Sequence, residues 1–271
     1  VLGKKQMRII TYYRHNDLDT YFEGRKVSTI PTSLTKSYFN FGGLSLAYGI
    51  SKRITVETDF GYFFNKTQVF NFNGKDLIAN GYGFSNGTVT GKLAAYKNTE
   101  NNYEVTIGLG LKFPFTLQPL YVNGARLPVE LQPSSNAFGI SLPLIFIKEF
   151  PQYRMRLMLL NKFERNFDNP EQYKFGNLMS NSLFLSKRLF NKSMALIQLR
   201  SDYILNDTSK GIKAKNTGSH VLTVSPHFSY ALGKNWQMSA LADFPFYKMY
   251  NGRQLSLKYA VVLSLTKTLD L

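Results

Sequence analysis

Apolar and polar residues alternate with a period of two along most of this chain. In the last segment Leu255, Leu257, Tyr259, Val261, Leu263 and Leu265 share one face, against Ser256, Lys258, Ala260, Val262, Ser264 and Thr266. Residues 103–115 set Tyr103, Val105, Ile107, Leu109, Leu111 and Phe113 against Glu104, Thr106, Gly108, Gly110 and Lys112. No stretch carries helical spacing. The pattern predicts twelve strands, over residues 6–14, 37–50, 54–65, 87–97, 103–115, 137–149, 153–165, 178–189, 194–206, 219–232, 236–248 and 254–268. Most exceed the roughly 5–6 residues usual in a soluble sheet. They suit the roughly 9–11 residues with which a tilted strand crosses a membrane.

The links add independent information. Short links are expected at Ser51–Arg53, Asn98–Asn102, Pro151-Gln152, Phe190–Ser193 and Gly233–Asn235. Long ones are expected at 15–36, 66–86, 116–136, 166–177 and 207–218. Short and long alternate, as in a transmembrane barrel with tight turns at one end and large loops at the other. The expected fold is therefore all-β: an antiparallel up-and-down outer-membrane barrel of about 12 strands, one domain over residues 1–271, with both termini periplasmic. Tyr48, Phe64, Phe115, Phe146, Phe150, Tyr230, Trp236 and Phe246 fall near strand ends, where such barrels carry aromatic girdles. Pro143, Pro226 and Pro245 interrupt strands and predict local bulges.

Composition narrows the functions. Charged residues make up 18%, below the usual value of about 25%. Cysteine is absent, which excludes a disulfide framework, a cysteine-based zinc site and a thiol nucleophile. The formal charge is +16, but the basic residues are dispersed rather than gathered with stacking aromatics, so no nucleic-acid partner is expected. Arg25, Lys26, Lys210, Lys213 and Lys215 fall in long loops, where anionic lipopolysaccharide is the expected partner. Lys52, Arg53, Lys187, Arg188 and Lys234 near the short turns suit a protein partner in an envelope complex, or attraction of anions.

Three stretches carry a family resemblance. They are Phe41 to Val56, with a tight turn at Ser51-Lys52-Arg53; the glycine-spaced Gly81 to Lys92; and Tyr103 to Pro114. In that order they resemble the outer-membrane barrels of the MetA-pathway phenol-degradation family, also described as transporters. The family pattern has an acidic residue near Asn86 or Gly87, which this chain lacks. The resemblance covers about residues 41–115 closely and implies a bacterial outer-membrane barrel of channel type.

Strand parity then assigns a lumen. The expected pore-lining residues are Glu57, Asp59, Lys92, Glu104, Lys112, Arg154, Arg156, Lys162, Arg200, Asp202, His227, Asp243 and Lys258. This mixture of signs with a basic excess suits passive passage of small polar or anionic solutes. Small inward residues cluster at Gly43, Ser45, Ala47, Gly61, Gly108, Gly110, Gly139 and Ser141. The loop over 116–136 is expected to fold inward over this wall, with Arg126 and Glu130 at the constriction. The alternative is a non-conducting barrel that acts as a subunit or scaffold. Its lumen would be closed by Arg154, Arg156 and Arg200 paired with Glu57, Asp59 and Asp243. No catalytic residue, metal site or cofactor is expected. Ser225 and His227 share a face near Asp243, but parity puts them in the lumen. The three histidines, His15, His220 and His227, are scattered.

Overall fold

The computed structural model describes residues 1–271. The strands are β1 (Gln6–Gly24), β2 (Leu34–Gly49), β3 (Ile54–Phe72), β4 (Lys75–Phe84 continued by Gly87–Asn98), β5 (Tyr103–Phe113) and β6 (Gly139–Phe150). They continue as β7 (Met155–Asn166), β8 (Leu178–Arg188), β9 (Ser193–Ile204) and β10 (Ser219–Gly233). A last run of strand, Trp236–Asp270, is 35 residues long and makes two passes. Its residues 236–250 form β11 against β10, and residues 253–270 form β12 against β1. The chain reverses at Asn251-Gly252, where Gly252 has φ +76°. Ser239 Oγ lies 2.5 Å from Ser264 Oγ across that hairpin.

Every strand pairs antiparallel with its neighbours in sequence, and β12 pairs with β1, so the sheet closes and leaves no edge. All twelve sequence-predicted strands are present, and Gln6↔Asp270 pairing puts both termini at the short-turn end. Closure satisfies the backbone, which hydrocarbon requires. The side chains are arranged inside out relative to a soluble barrel. Thr223, Ser225, Ser229, Asp243 and Ser256 are the enclosed ones, while Leu109 and Leu111 are each 57% exposed and Phe246 62%.

The wall is uneven in height. Strands β1 and β3 run for 19 residues each and β2 for 16, whereas β5 to β9 have only 11 or 12. The predicted loops 15–36 and 66–86 are therefore largely strand. Along these extensions the strict alternation lapses, but the hydrogen-bond ladder continues. Asn73-Gly74 closes the β3–β4 hairpin with φ +51° and +81°, the backbone that a two-residue type I′ turn needs. The loops over 114–138, 167–177 and 205–218 remain long, as expected.

Two of the three proline bulges do not form. Pro143 and Pro226 keep register with Lys162 and Ile197, and their strands run through without a shift. Pro143 lies against Gly108, whose missing side chain leaves it room. Only Pro245 adjoins a shift, between Leu222 and Thr223 of β10.

Candidate functional site: the lumen

Two cavities lie inside the ring. The outer one, about 960 Å³ at the long-loop end, is lined by Tyr21, Phe39, Phe63, Lys66, residues 129–135 of the long loop, Tyr173, Phe175 and Arg253. The inner one, about 690 Å³ at the short-turn end, is lined by Arg8, Ile10, Ser45, Thr55, Glu57, Lys92, Glu104, Thr106, Ile147 and Arg156. Leu2 is buried, and its amide donates to Thr55 Oγ1 at 2.8 Å, so the segment before β1 lies across part of the inner mouth.

Charged groups line the wall in separate sets. On one side Arg14 of β1 reaches Asp243 of β11 at 3.0 Å, and Arg200 of β9 reaches the same carboxylate at 3.3 Å. Arg200 also pairs with Asp202 at 2.9 Å. The Ser225 hydroxyl donates to Asp243 Oδ1 at 2.5 Å, so Asp243 is enclosed and fully partnered. Across the lumen, Lys112 of β5 and Lys162 of β7 share Glu164 at 2.6 and 2.8 Å. Nearer the short turns Lys92 pairs with Glu57 at 2.6 Å, and Arg156 Nε donates to Glu149 at 2.9 Å. Glu104 accepts from Thr106 at 2.9 Å, and Asp59 accepts from Thr88 at 3.4 Å. No ion pair between strands spans more than two steps of the ring.

Four assignments change. Arg154 is not a lumen residue: it occupies the β6–β7 turn with φ +52°. Lys258 lines neither cavity, because β1 and β12 shift register beside it, and it pairs with the exposed Asp19 at 2.8 Å. Arg126 meets Glu171 at the loop rim rather than at a constriction, whereas Glu130 lines the outer cavity. The loop does fold inward, but against the top of β3 and β4. Lys66 Nζ donates to the Gln132 carbonyl at 2.7 Å, and a side chain at Gly81 would strike the Leu131 carbonyl. The small-residue wall below is filled instead by rings lying flat: Tyr12 covers Gly43 and Phe41 covers Gly61.

The loop carries its own internal ties. Gln132 donates to the Leu120 and Leu127 carbonyls and accepts from the Leu120 amide. Asn86, at the break in β4, accepts from Ser134 at 2.5 Å and donates to Ser135 at 2.7 Å. Asn86 thus anchors the loop to the wall. At the far rim Tyr173 donates to Asp207, and burial together with that carboxylate raises the phenol well above its usual range. His227 faces the lumen with Nε2 unpartnered, and Ser225 bonds Asp243 rather than His227.

Arg8, Arg14, Tyr12, Lys66, Glu149 and Glu164 are lumen residues that parity reasoning did not select. On β1 the inward Arg8, Ile10, Tyr12 and Arg14 mix apolar and basic types, and the outward Met7, Ile9, Thr11 and Tyr13 are little different. Two arginines six residues apart on one face were the available signal. Arg8 makes no ion pair or side-chain hydrogen bond, and it lines the inner cavity.

The fold is similar to that of an outer membrane channel from Pseudomonas putida F1, with a TM-score of 0.77 and 14% identity over 99% of this chain and 97% of that one. It is less similar to the β domain of the Bordetella autotransporter BrkA, with a TM-score of 0.53 and 10% identity over 98% of this chain and 100% of that one. For the CymD monoaromatic hydrocarbon channel the TM-score is 0.51, with 9% identity over 100% of this chain and 90% of that one. No curated protein matches the sequence. The family described as "Putative MetA-pathway of phenol degradation" matches residues 35–250, and the chain, an outer-membrane β-barrel, belongs to that family.

Proposed function

We propose that this barrel is an outer-membrane channel for the passive passage of small polar or anionic solutes. The observation that carries the reading is the placement of the ion pairs. The pairs that join two strands run along the wall, between adjacent or next-but-one strands, and leave cavities of about 960 and 690 Å³ above and below. Of the pairings that would close the lumen, Arg200 with Asp243 is the one that forms, and it too stays on one wall. Each set pairs base with acid on its own wall, so the passage presents polar and charged groups to a solute without a plug across it. Arg8, an unpaired cation, tilts the inner cavity toward anions. The rings of Tyr21, Phe39, Phe63, Tyr173 and Phe175 give the outer cavity room for an apolar portion of the solute. CymD, which shares the fold, is a monoaromatic hydrocarbon channel. In this reading Arg25, Lys26, Lys210 and Lys213 contact anionic lipopolysaccharide from the loops, whereas Lys215 lines the outer cavity.

The test is conductance of the purified protein in a planar bilayer under a salt gradient. Stable conductance with anion preference is expected. A barrel that is folded by heat-modifiable gel mobility yet silent would overturn the channel and favour the scaffold.

A further inference from the structure

The lipid-facing side of β7, β8 and β9 contains a polar row where the pattern calls for apolar residues. Register aligns Leu144, Asn161, Asn181, Ser201 and Leu222 across β6 to β10. The outward row beneath is Phe146, Leu159, Leu183, Leu199 and Val224, which is entirely apolar. The row above holds Leu142, Phe163 and Met179 before reaching Tyr203. Asn161 and Asn181 are therefore enclosed within the apolar band, while Ser201 lies next to Tyr203 and His220 of the row above. The Ser201 hydroxyl has a partner, His220 Nε2 at 3.0 Å. The amides of Asn161 and Asn181 make no hydrogen bond within the chain, although both stand partly exposed. Beside them lies a shallow groove of about 260 Å³, with Asn181 and Ser201 in its lining and Leu159, Leu183, Leu199 and Phe246 as apolar sides.

Hydrocarbon gives an amide nothing to bond with, so two open amides in the band call for a partner that carries both donors and acceptors. An asparagine row meets that need when it faces its own copy, because each amide offers an N–H and a carbonyl oxygen to the other. A two-fold axis along the membrane normal brings the same patch together on both copies. Lysine and arginine are absent from these three rows, so two strongly basic chains approach there without repulsion across the contact. The exposed Phe246 ring beside the groove adds a projection next to a recess, a shape that also complements itself. We propose that the outer face of β7 to β9 is the interface with a second copy of this chain, joined through Asn161 and Asn181 of both.

The chain has no cysteine, so a single introduced thiol reports its own neighbours. Asn181→Cys, oxidised in intact outer membranes, is expected to give a disulfide-linked dimer on a non-reducing gel. Leu46→Cys, outward on β2 at the far side of the ring, is expected to stay monomeric. The double variant Asn161→Leu/Asn181→Leu should retain heat-modifiable mobility but lose dimer mass in mild detergent. The proposal is overturned if Asn181→Cys cross-links no more than Leu46→Cys, or if the leucine variant keeps the wild-type mass. Lipid or lipopolysaccharide would then be what covers the amides.

Discussion

The outer face of the barrel carries two polar ladders, on opposite walls, and only one of them is closed. On the tall wall His15 and Tyr13 bond Asn40, Asn40 bonds Asn65, Asn65 bonds Thr67, and Thr67 bonds Asn80. Each polar group there is used by another, across strands or, for Asn65 and Thr67, along one. On the low wall Asn161 and Asn181 sit opposite each other and bond nothing. The tall wall continues upward into charged groups such as Asp19 and Lys258, so its ladder marks the edge of the apolar band. The low-wall asparagines have apolar neighbours on both sides, Phe163 and Met179 above and Leu159 and Leu183 below. A satisfied ladder needs no neighbour; an open one inside hydrocarbon does. The inner faces differ too, since the low wall sends a long loop across to rest on the tall one.

The largest effect is expected from separating the walls at that loop. A Cβ at Gly81 would lie 1.9 Å from the Leu131 carbonyl oxygen, so backbone must move in Gly81→Val. Overpacking of this kind costs about 1–3 kcal/mol. The loop should leave the tall wall, conductance should rise, and residues 127–136 should become sensitive to protease. Gly91→Val is the control on the same strand, since nothing lies within 4 Å of its Cβ position. Unchanged conductance and cleavage in Gly81→Val would show that the loop is not held there.

Breaking the closed ladder comes next. Asn40→Leu strands the Tyr13 hydroxyl, the His15 ring and the Asn65 amide at once. Leaving such groups unpaired costs about 1–3 kcal/mol. Trp236 is the single tryptophan and sits under Lys267 at 4.6 Å, so its fluorescence reports a urea titration of the barrel. Asn181→Leu, titrated the same way as a dispersed monomer, should stay within about 0.5 kcal/mol of wild type or gain stability. An equal loss in the two variants would erase the difference between the walls.

Much of this fold was legible because a membrane barrel writes its burial directly into alternation. Strands β5 and β12 show it best: Ile107, Leu109 and Leu111, or Leu263 and Leu265, point to lipid and their alternates do not. At the tops of β1, β3 and β4 apolar residues fall side by side, as at Tyr21-Phe22, Val69-Phe70 and Leu77-Ile78, so the period of two is lost and these segments read as loop, although Asn73-Gly74 was a hairpin signal in plain view. Parity places a side chain on a face, but it does not say which carboxylate an arginine will find. Arg14 with Asp243 is 229 residues apart in sequence and depends on β12 closing onto β1. Gly43 and Gly61 were visible as small residues, but the rings that fill their space belong to neighbouring strands. The register shift that takes Lys258 out of the lumen lies between Asp17 and Thr20 on the partner strand.

The smallest structural change carries the sharpest test of function. Arg8 faces Ala47 of β2, and Ala47 faces Glu57 of β3, so the two charges flank one small residue without forming an ion pair. Glu57 is already held by Lys92 at 2.6 Å, which leaves Arg8 with its charge uncompensated in the inner cavity. Replacing it removes no hydrogen bond, and Arg8→Gln should change stability by no more than about 0.5 kcal/mol. The reversal potential in a salt gradient should nevertheless move toward cations, because a fixed charge in a narrow, low-dielectric passage weights the ions that enter it. Lys92→Gln should move it less, since it also frees Glu57 and lets Arg8 take that partner. If the two variants shift the potential equally, the inner cavity responds to total charge. If Arg8→Gln alone shifts it, selectivity resides in the one side-chain cation that the inner cavity leaves unpaired.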